Sequence, residues 1–169
     1  MEYLKELQRH FAELSAPTPV QLQQAIQACR FTADFARTFA TEPEGLPYGK
    51  NILWTSDTVQ AVVIHLPAHS ATYIHDHGES VGCAYVLEGT VVNTVYGKNP
   101  EGDAIAVLTE HVANGSFFLA DKNQIHRMSN PNDERAVSFH VYSPPLEGAR
   151  TYKEAVAASG SGAVPVMAD

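Results

Sequence analysis

The spacing of apolar residues divides the chain into two parts that meet near residue 45. In the first part apolar side chains recur three or four positions apart, which predicts amphipathic helices. One predicted helix carries Leu4, Leu7 and Phe11, and a second begins after Thr18 with Pro19 at its first position. A third is marked by aromatic side chains at i, i+4 and i+8, which we expect to pack on the outside of the second part rather than to form a ligand box. These residues are Phe31, Phe35 and Phe39.

The second part, from Tyr48 onward, consists of short runs rich in β-branched and aromatic residues, separated by turn signals at 96–100 and 130–133. Such runs after a helical segment predict a mainly β, α+β fold dominated by an antiparallel jelly-roll β-barrel. The predicted strands cover residues 51–54, 58–66, 71–76, 82–96, 104–112, 116–119, 125–128 and 135–142.

Length and composition are those of one domain with its own hydrophobic core. The chain has 169 residues, of which 44% are hydrophobic. We expect a single domain over 1–169, with a helical region at about 1–44 and the barrel at about 45–148. A loose tail is expected at about 155–169, where Ser-Gly-Ser-Gly stands among few large apolar side chains.

The charge and the chain start exclude several kinds of partner. A net charge of −8 with only 11 Lys and Arg residues argues against a nucleic-acid partner, which needs clustered positive charge. The first residues lack the apolar stretch of a signal peptide, and no apolar run approaches the length of a membrane span. Cys29 and Cys83 lie in unlike segments without metal-ligand spacing. We therefore predict a soluble protein in the reducing cytoplasm, without a membrane or nucleic-acid partner.

The main candidate for chemistry is His75-Asp76-His77, followed by His126 forty-nine residues after His77. On a strand, side chains two residues apart point to the same face of the sheet. The pair could thus bind one metal ion from one side. Taken alone, the pair could also be two surface or core-edge histidines.

The spacing around these histidines resembles the two motifs of the cupin superfamily of small β-barrels. The first motif also has a ligand glutamate, and its position is occupied here by Gly82. The resemblance thus implies three neutral ligands without a carboxylate. Neutral imidazole suits Fe, Cu, Zn or Ni, so the ligand set alone does not name the ion. The motif residues found at their expected offsets are His75, His77, Gly89, Gly115, His126 and Asn130.

A second candidate constellation is Ser138, His140 and Tyr142, spaced at i, i+2 and i+4 in an apolar, β-rich run. A strand would place the three side chains on one face, where hydroxyl, imidazole and phenol could form a hydrogen-bond relay. The alternative is a strand that buries His140 as a core histidine while Tyr142 packs by its ring.

Three segments resemble cysteine dioxygenases of the bacterial type, and the resemblance spans about residues 45–148. The most discriminating piece is His-Val-Tyr-Ser-Pro-Pro, which general cupins lack. The segments are YIHDHGESVGCAYVLEGTVVNTVYG from Tyr73 to Gly97, IHRMSN from Ile125 to Asn130, and VSFHVYSPPLE from Val137 to Glu147.

The resemblance implies an Fe(II)-dependent dioxygenase that adds both atoms of O₂ to the sulfur of L-cysteine and gives cysteine sulfinic acid. It implies that the Tyr142 hydroxyl points toward the substrate, that His140 orients it and that Ser138 fixes His140. No organic cofactor is implied. The Fe(II) ligands that the resemblance implies are His75, His77 and His126.

The resemblance also implies a clamp for the substrate carboxylate. Family members carry an Arg two residues after a Tyr, and both grip the carboxylate, whereas this chain has Tyr48 and Lys50 at those positions. A Lys clamp would attract a carboxylate but orient it less well, because an ammonium is a point charge and a guanidinium a planar fork. Alternatively, Lys50 is a solvated charge at a strand edge.

One feature of the mammalian family members is absent. They carry a Cys seven residues after the first ligand His, joined by a thioether to the Tyr that corresponds to Tyr142. That position is Gly82 here, and Cys83 is the next residue. A shift of one residue on a strand turns the side chain to the opposite face, so we expect Cys83 to face away from the metal and no crosslink to form.

Two rival functions stay open at the level of sequence. One is a dioxygenase of another small thiol such as 3-mercaptopropionate, and the other is a non-catalytic cupin that binds a metal for storage or sensing. The second does not need the pair formed by His140 and Tyr142. The remaining histidines stand at no ligand offset and are assigned to strand or surface roles; they are His10, His65, His69 and His111.

Overall fold

The computed structural model describes residues 2–156, which begin with three short helices. The second helix begins as predicted, because Thr18 caps it through a reciprocal capping box with Gln21 and Pro19 occupies its first turn. Phe31 precedes the third helix instead of lying in it, since that helix begins two residues later. The helices are α1 (Glu2–Phe11), α2 (Pro19–Ala28) and α3 (Ala33–Phe39).

Within residues 2–156 nine strands follow the helices, and every pair of neighbouring strands is antiparallel. They form a five-stranded sheet in the order β1-β2-β9-β4-β7 and a four-stranded sheet in the order β3-β8-β5-β6. The predicted mainly β fold with an N-terminal helical segment is confirmed. The strands are β1 (Gly49–Thr55), β2 (Gln60–Leu66), β3 (Ser70–Ala71), β4 (Val81–Glu88), β5 (Thr90–Lys98), β6 (Ala104–Ala113), β7 (Phe117–Ala120), β8 (Ile125–Asn130) and β9 (Ala136–Ser143).

Two predicted strands were wrong. The run at 71–76 contributes only the end of β3 and a single bridge at His75, so most of it is loop. The run at 82–96 is a hairpin and not one strand, because the chain reverses at Gly89 between β4 and β5. Gly89 has φ +74°, and a Cβ atom there would lie 2.7 Å from the carbonyl oxygen of Arg135, so the turn requires glycine.

Strand β9 separates two cores. Its residues Val137, Phe139 and Val141 face the helices and join the core between the helical layer and the five-stranded sheet. Ala136 and Tyr142 face the other way, into the interior enclosed by both sheets. The expected aromatic stripe on the outside of the barrel is confirmed, since the ring centroids of Phe31 and Phe35 lie 5.0 and 5.9 Å from that of Phe139.

Residues 149–155, here named the C-terminal strap, cross the end of the four-stranded sheet. The Tyr152 amide donates to the carbonyl of Ile74, and the Ala155 amide donates to the carbonyl of Ala104, both at 2.8 Å. Ala155, the first residue of the predicted loose tail, is therefore hydrogen-bonded. Residues 157–169 of that predicted tail lie outside the described residues. The assignment of the whole chain to one domain stays a prediction. Within residues 2–156, none of the helices has the length and apolar character needed to cross a membrane.

Candidate metal centre

Three histidine side chains converge at one end of the barrel. The Nε2 atom of His77 lies 3.2 Å from Nε2 of His75 and 3.2 Å from Nε2 of His126. All three candidate donor atoms lie within 4.8 Å of one another, so the group could hold a metal ion. The structure brings together the three histidines that the sequence predicts as ligands, and their role as ligands stays a prediction.

The backbone places these histidines differently from the expectation. His126 is on β8 and exchanges two backbone hydrogen bonds of 2.9 Å with His75. His77 lies in the loop that follows His75. Alternation along a strand therefore does not explain why His75 and His77 face the same side. Instead the chain turns at Gly78, whose φ is +56°, and the carboxylate of Asp76 accepts the Gly78 amide at 3.0 Å.

Hydrogen bonds donated by Nδ1 fix the orientation in which the rings of His75 and His126 present Nε2. His75 Nδ1 lies 2.8 Å from the carbonyl oxygen of Tyr73, and His126 Nδ1 lies 2.8 Å from Oδ1 of Asn93. A carbonyl or amide oxygen only accepts, so each Nδ1 carries the proton and each Nε2 presents a lone pair. This is the arrangement in which a neutral histidine binds a metal while its other nitrogen is held by a hydrogen bond.

Burial keeps this cluster uncharged. Burial, followed by the neighbouring His75 and His140, lowers the pKa of His77 to about 3. Burial likewise lowers the pKa values of His126 and His75. Among the described residues His77 Nδ1 is buried without a hydrogen-bond partner.

The donor set fits a divalent metal ion. His75 and His126 each direct an Nε2 lone pair toward Nε2 of His77 at 3.2 Å, and burial disfavours a protonated cluster, so a cation between these nitrogens would be bound by donors that already converge. Three neutral imidazoles suit Fe, Cu, Zn or Ni and leave coordination positions open for further ligands. The ligand chemistry is thus compatible with iron without identifying it.

The relay predicted on the last strand has hydrogen-bonding geometry. Ser138 Oγ lies 2.7 Å from Nε2 of His140, and Nδ1 of His140 lies 3.1 Å from the Tyr142 hydroxyl oxygen. All three residues are buried on the inner face of β9. The Tyr142 ring centroid lies 4.7 Å from that of His77, so the relay ends beside the histidine cluster.

The buried surroundings give the relay a direction. The hydroxyl of the fully buried Ser138 has one side-chain partner among the described residues, His140 Nε2, and we assign it as the donor because Tyr142, unlike Ser138, lines the cavity and can donate its own proton there. Burial, with smaller effects of His75 and Lys50, lowers the pKa of His140 to about 3, so the ring is neutral. Its proton is then on Nδ1 and is donated to the Tyr142 oxygen. The Tyr142 hydroxyl keeps its own proton, because burial raises its pKa, and can donate it elsewhere.

Gly82 and Cys83 lie on opposite faces of β4. Gly82 pairs with Tyr142 across the sheet, whereas Cys83 belongs to the core between the sheet and the helices. The prediction that the Cys83 side chain faces away from the histidine cluster is confirmed. Burial raises the pKa of the Cys83 thiol to about 12, so it is an unreactive core side chain.

A cavity of about 410 Å³ opens onto the cluster. Its wall is largely apolar and includes Val62, Ile64, Met128 and Leu146. An apolar wall with a few convergent polar groups is typical of a small-molecule site. The polar or ionisable residues that line it include Tyr48, Lys50, His75, His77, Tyr142 and Arg150.

Both residues of the predicted carboxylate clamp line this cavity. Tyr48 is half-buried, and burial with the neighbouring Tyr73 raises the pKa of its phenol. Lys50 is the second residue of β1, is exposed and lines the cavity. Lys50 also lies on the edge strand β1, so the alternative of a solvated strand-edge charge stays open, and contact with a substrate stays a prediction.

Sequence reasoning missed Asn93, Asp76 and Arg150. Asn93 is a buried polar residue in β5, and an Asn within a strand rich in β-branched residues is the one signal that could have suggested a specific partner. Asp76 stands between two candidate ligands, but its partners Arg150 and Tyr152 are more than seventy residues away in sequence. Of the other histidines, His65 bonds the carbonyl of Thr41 and His69 bonds an exposed Asp, both away from the cluster.

Comparison with known proteins points to one family. The family model described as Cysteine dioxygenase type I matches residues 10–155. A curated relative, Cysteine dioxygenase type 1 of Danio rerio, is 33% identical over 91 residues, which are 48% of this chain and 43% of the relative. The matching part of the chain thus spans less than half the length of that relative.

Solved structures resemble this chain in fold. An uncharacterized conserved protein with a double-stranded β-helix domain from Klebsiella pneumoniae has a TM-score of 0.58 at 17% identity, covering 74% of this chain and 97% of that one. A protein from Thermus thermophilus has a TM-score of 0.54 at 21% identity, covering 64% and 93%. These similarities confirm the predicted cupin-type barrel and concern the fold alone.

Proposed function

Because the chain belongs to the cysteine dioxygenase type I family, we propose that it is an Fe(II)-dependent thiol dioxygenase that converts L-cysteine to cysteine sulfinic acid. One observation carries the proposal: the relay of Ser138, His140 and Tyr142 ends 4.7 Å, ring to ring, from a candidate metal ligand, at the wall of the same cavity. A site that only stores a metal would not need a buried hydrogen-bond donor aimed beside it.

His75, His77 and His126 would hold the metal through their Nε2 atoms. When bound, Fe(II) supplies a site where the thiolate of the substrate and O₂ can react, and both oxygen atoms are transferred to sulfur. The hydrogen bonds from Nδ1 of His75 and His126 keep the rings in the tautomer that presents Nε2. These contacts would fix the ligands before the metal binds.

Tyr142 would donate a hydrogen bond to the substrate or to the oxygen. In the direction assigned to the relay, its proton would be available because His140 donates to the phenol oxygen and Ser138 keeps His140 in that tautomer. The Lys50 ammonium, with the Tyr48 hydroxyl, would attract the substrate carboxylate, while the apolar wall excludes water. A donor held in a buried site acts on developing charge more strongly than one in water.

A second candidate, dioxygenation of another small carboxylated thiol such as 3-mercaptopropionate, is favoured by Lys50 itself. A point charge sets fewer geometric demands on the rest of the substrate than a guanidinium fork. A non-catalytic metal-binding cupin is the remaining alternative, and the relay argues against it. A reducing, cytoplasmic location, where free cysteine is available, is part of the proposal.

The test is anaerobic loading with Fe(II), followed by measurement of O₂ consumption and product mass with a panel of L-cysteine, 3-mercaptopropionate and cysteamine. We expect thiol-dependent O₂ uptake with two oxygen atoms added to sulfur. Alanine at His75, His77 or His126 should remove most of the bound iron, because two remaining donors hold Fe(II) poorly, whereas His69→Ala is the matched control away from the cluster. Iron binding without uptake for every thiol would leave the non-catalytic alternative.

A further inference from the structure

The side chain of Asp76 stands between two candidate ligands and is completely buried, although it is not itself a candidate ligand. Its Oδ1 atom accepts the amides of Gly78 at 3.0 Å and of Arg150 at 3.1 Å. Its Oδ2 atom accepts Nε and Nη2 of Arg150, each at 3.1 Å, and the hydroxyl of Tyr152. Four of these five donors belong to the C-terminal strap.

The strap in turn contacts the segment that carries the ligands. The Asp76 amide donates to the carbonyl of Arg150 at 3.0 Å, and Thr151 forms a bridge with His75. Residues 149–151 also form part of the wall of the substrate cavity. One carboxylate therefore joins a cavity wall to the loop between the first two candidate ligands.

Backbone hydrogen bonds hold the later part of the strap, since Tyr152 donates to Ile74, Lys153 accepts from Ala104 and Ala155 donates to Ala104, so Asp76 acts mainly on the earlier part, residues 149–151. Tyr152 packs against a small core cluster formed by Ile74, Tyr96, Ala104 and Ile125, and Glu154 pairs with the half-exposed Arg127. Exposed ion pairs of this kind add little stability. Hydrogen bonds to a buried charge are stronger, and losing them leaves donors without a partner.

We propose that Asp76 is a positioning residue that locks the C-terminal strap over the ligand loop and thereby fixes one wall of the substrate cavity. The proposal rests on the proposed function only where it refers to the thiol. With the carboxylate removed, residues 149–151 would open locally while the barrel stays folded, because among the described residues the strap is a strand of neither sheet. An open strap would weaken thiol binding more than the chemical step.

Limited proteolysis with trypsin tests the lock without any need for activity, since the strap itself contains Arg150 and Lys153. The variants are Asp76→Asn, which keeps the shape and removes the charge, and Tyr152→Phe, which removes one hydroxyl of the lock and lies outside the cavity wall. The matched control is Tyr85→Phe, on β4, where the ring packs against Phe117 on the helix-facing side.

Wild type and the control should be cut slowly after Arg150 and Lys153. Loss of a hydrogen bond to a charged group should raise the open population, and with it the cleavage rate, by about tenfold in Tyr152→Phe and by more in Asp76→Asn. The KM for the thiol should rise several-fold in both variants, with kcat within about twofold of wild type. Asp76→Glu, which restores the charge on a longer stem, should recover part of the resistance to trypsin.

Cleavage of the strap in Tyr152→Phe at the wild-type rate would overturn the proposed lock. Cleavage spread evenly over sites in the barrel, with a lowered midpoint of thermal unfolding, would overturn it as well, because that pattern indicates a merely structural role for Asp76. If Asp76→Asn does not fold, Tyr152→Phe decides alone. Absence of oxidation of any thiol by the wild type would refute the proposed function, whereas the cleavage pattern would still test the lock.

Discussion

Gly82 and Tyr142 face each other on adjacent strands, and a Cβ atom on Gly82 would lie 2.9 Å from Cδ1 and 3.0 Å from Cε1 of the Tyr142 ring. The ring has little room to retreat, because it lies against His77 on one side and belongs to the interior core. The absence of a side chain at position 82 is therefore what allows Tyr142 its present position.

Gly82→Ala should displace the Tyr142 ring and lower turnover by about ten- to hundredfold, because small misplacements of a reacting group are costly. Bound iron should stay near the wild-type level, since no candidate ligand moves directly. Steady-state O₂ uptake and iron content are the measurements. Cys83→Ala, one residue away on the opposite face, should lower stability but keep turnover. Wild-type turnover in Gly82→Ala would show that the Tyr142 position is not critical.

Tyr142→Phe should bind iron normally and turn over more slowly, since only the hydroxyl is removed. Hydrogen-bond or general-acid roles are commonly worth about 10²–10⁴-fold, and a supporting role can be smaller. Ser138→Ala should also slow turnover, because His140 would then accept the phenol proton and the Tyr142 hydroxyl would turn away from the cavity. The double variant should be no slower than Tyr142→Phe. Additive effects would contradict the direction assigned to the relay.

The intact mass of the protein should equal that of the unmodified chain. A thioether between Cys83 and Tyr142 would remove two hydrogens, but these side chains lie on opposite sides of the five-stranded sheet. Mass spectrometry of protein after many turnovers is the measurement, with peptide mapping of 81–98 as the control. A two-hydrogen loss traced to a Cys83–Tyr142 peptide would contradict the arrangement of the two faces.

Lys50→Ala should raise the KM for L-cysteine, because the cation at the cavity wall is lost. The same change should make the preference for carboxylated thiols over cysteamine smaller. Lys50→Arg should lower this KM several-fold, since a planar fork can form two parallel bonds with a carboxylate. Lys122→Ala is a control, because that lysine pairs with Glu79 at the surface. An unchanged KM and preference in Lys50→Ala would mean that the carboxylate is held elsewhere and would favour the broader thiol-dioxygenase alternative.

The metal-free protein should lose stability as the pH falls from 6.5 toward 3. Burial lowers the pKa values of His77 and His140 from 6.5 to about 3, so the unfolded chain binds protons in this range that the folded chain does not. Each such group contributes a slope of about 1.4 kcal/mol per pH unit. The free energy of unfolding in urea at pH 7, 6, 5 and 4 is the measurement. His140→Gln should reduce the dependence of this free energy on pH, whereas His111→Gln, at an exposed position of β6, should not. A free energy of unfolding that does not change with pH would contradict the assignment of buried neutral histidines.

The sequence predicted the helical layer, most of the barrel and the residues of the histidine cluster, because these depend on local periodicity and on motif spacing. The N-terminal cap of α2 is encoded within four residues, from Thr18 to Gln21. The break at Gly89 was missed because the apolar pattern continues through it, and the need for glycine comes from the backbone near Arg135, which is distant in sequence.

The loop at 75–77 shows a prediction that gives the right residues for a wrong reason. His75 and His77 were expected to share a face through strand alternation, but Asp76 and Gly78 shape a loop that has the same outcome. The partners of Asp76 on the strap follow from tertiary contacts between segments with no local pattern. Such contacts cannot be inferred from spacing along one chain.

The alternation of β9 has a consequence for how this protein can vary. Substitutions at 137, 139 or 141 act on the attachment of the helices, and those at 138, 140 or 142 act on the interior, so the two sets can change separately. Insertion or deletion of one residue within the strand would exchange them, placing Phe139 in the cavity and Tyr142 under the helices. Changes in chain length can therefore be accommodated in the turns on either side of this strand but not within it.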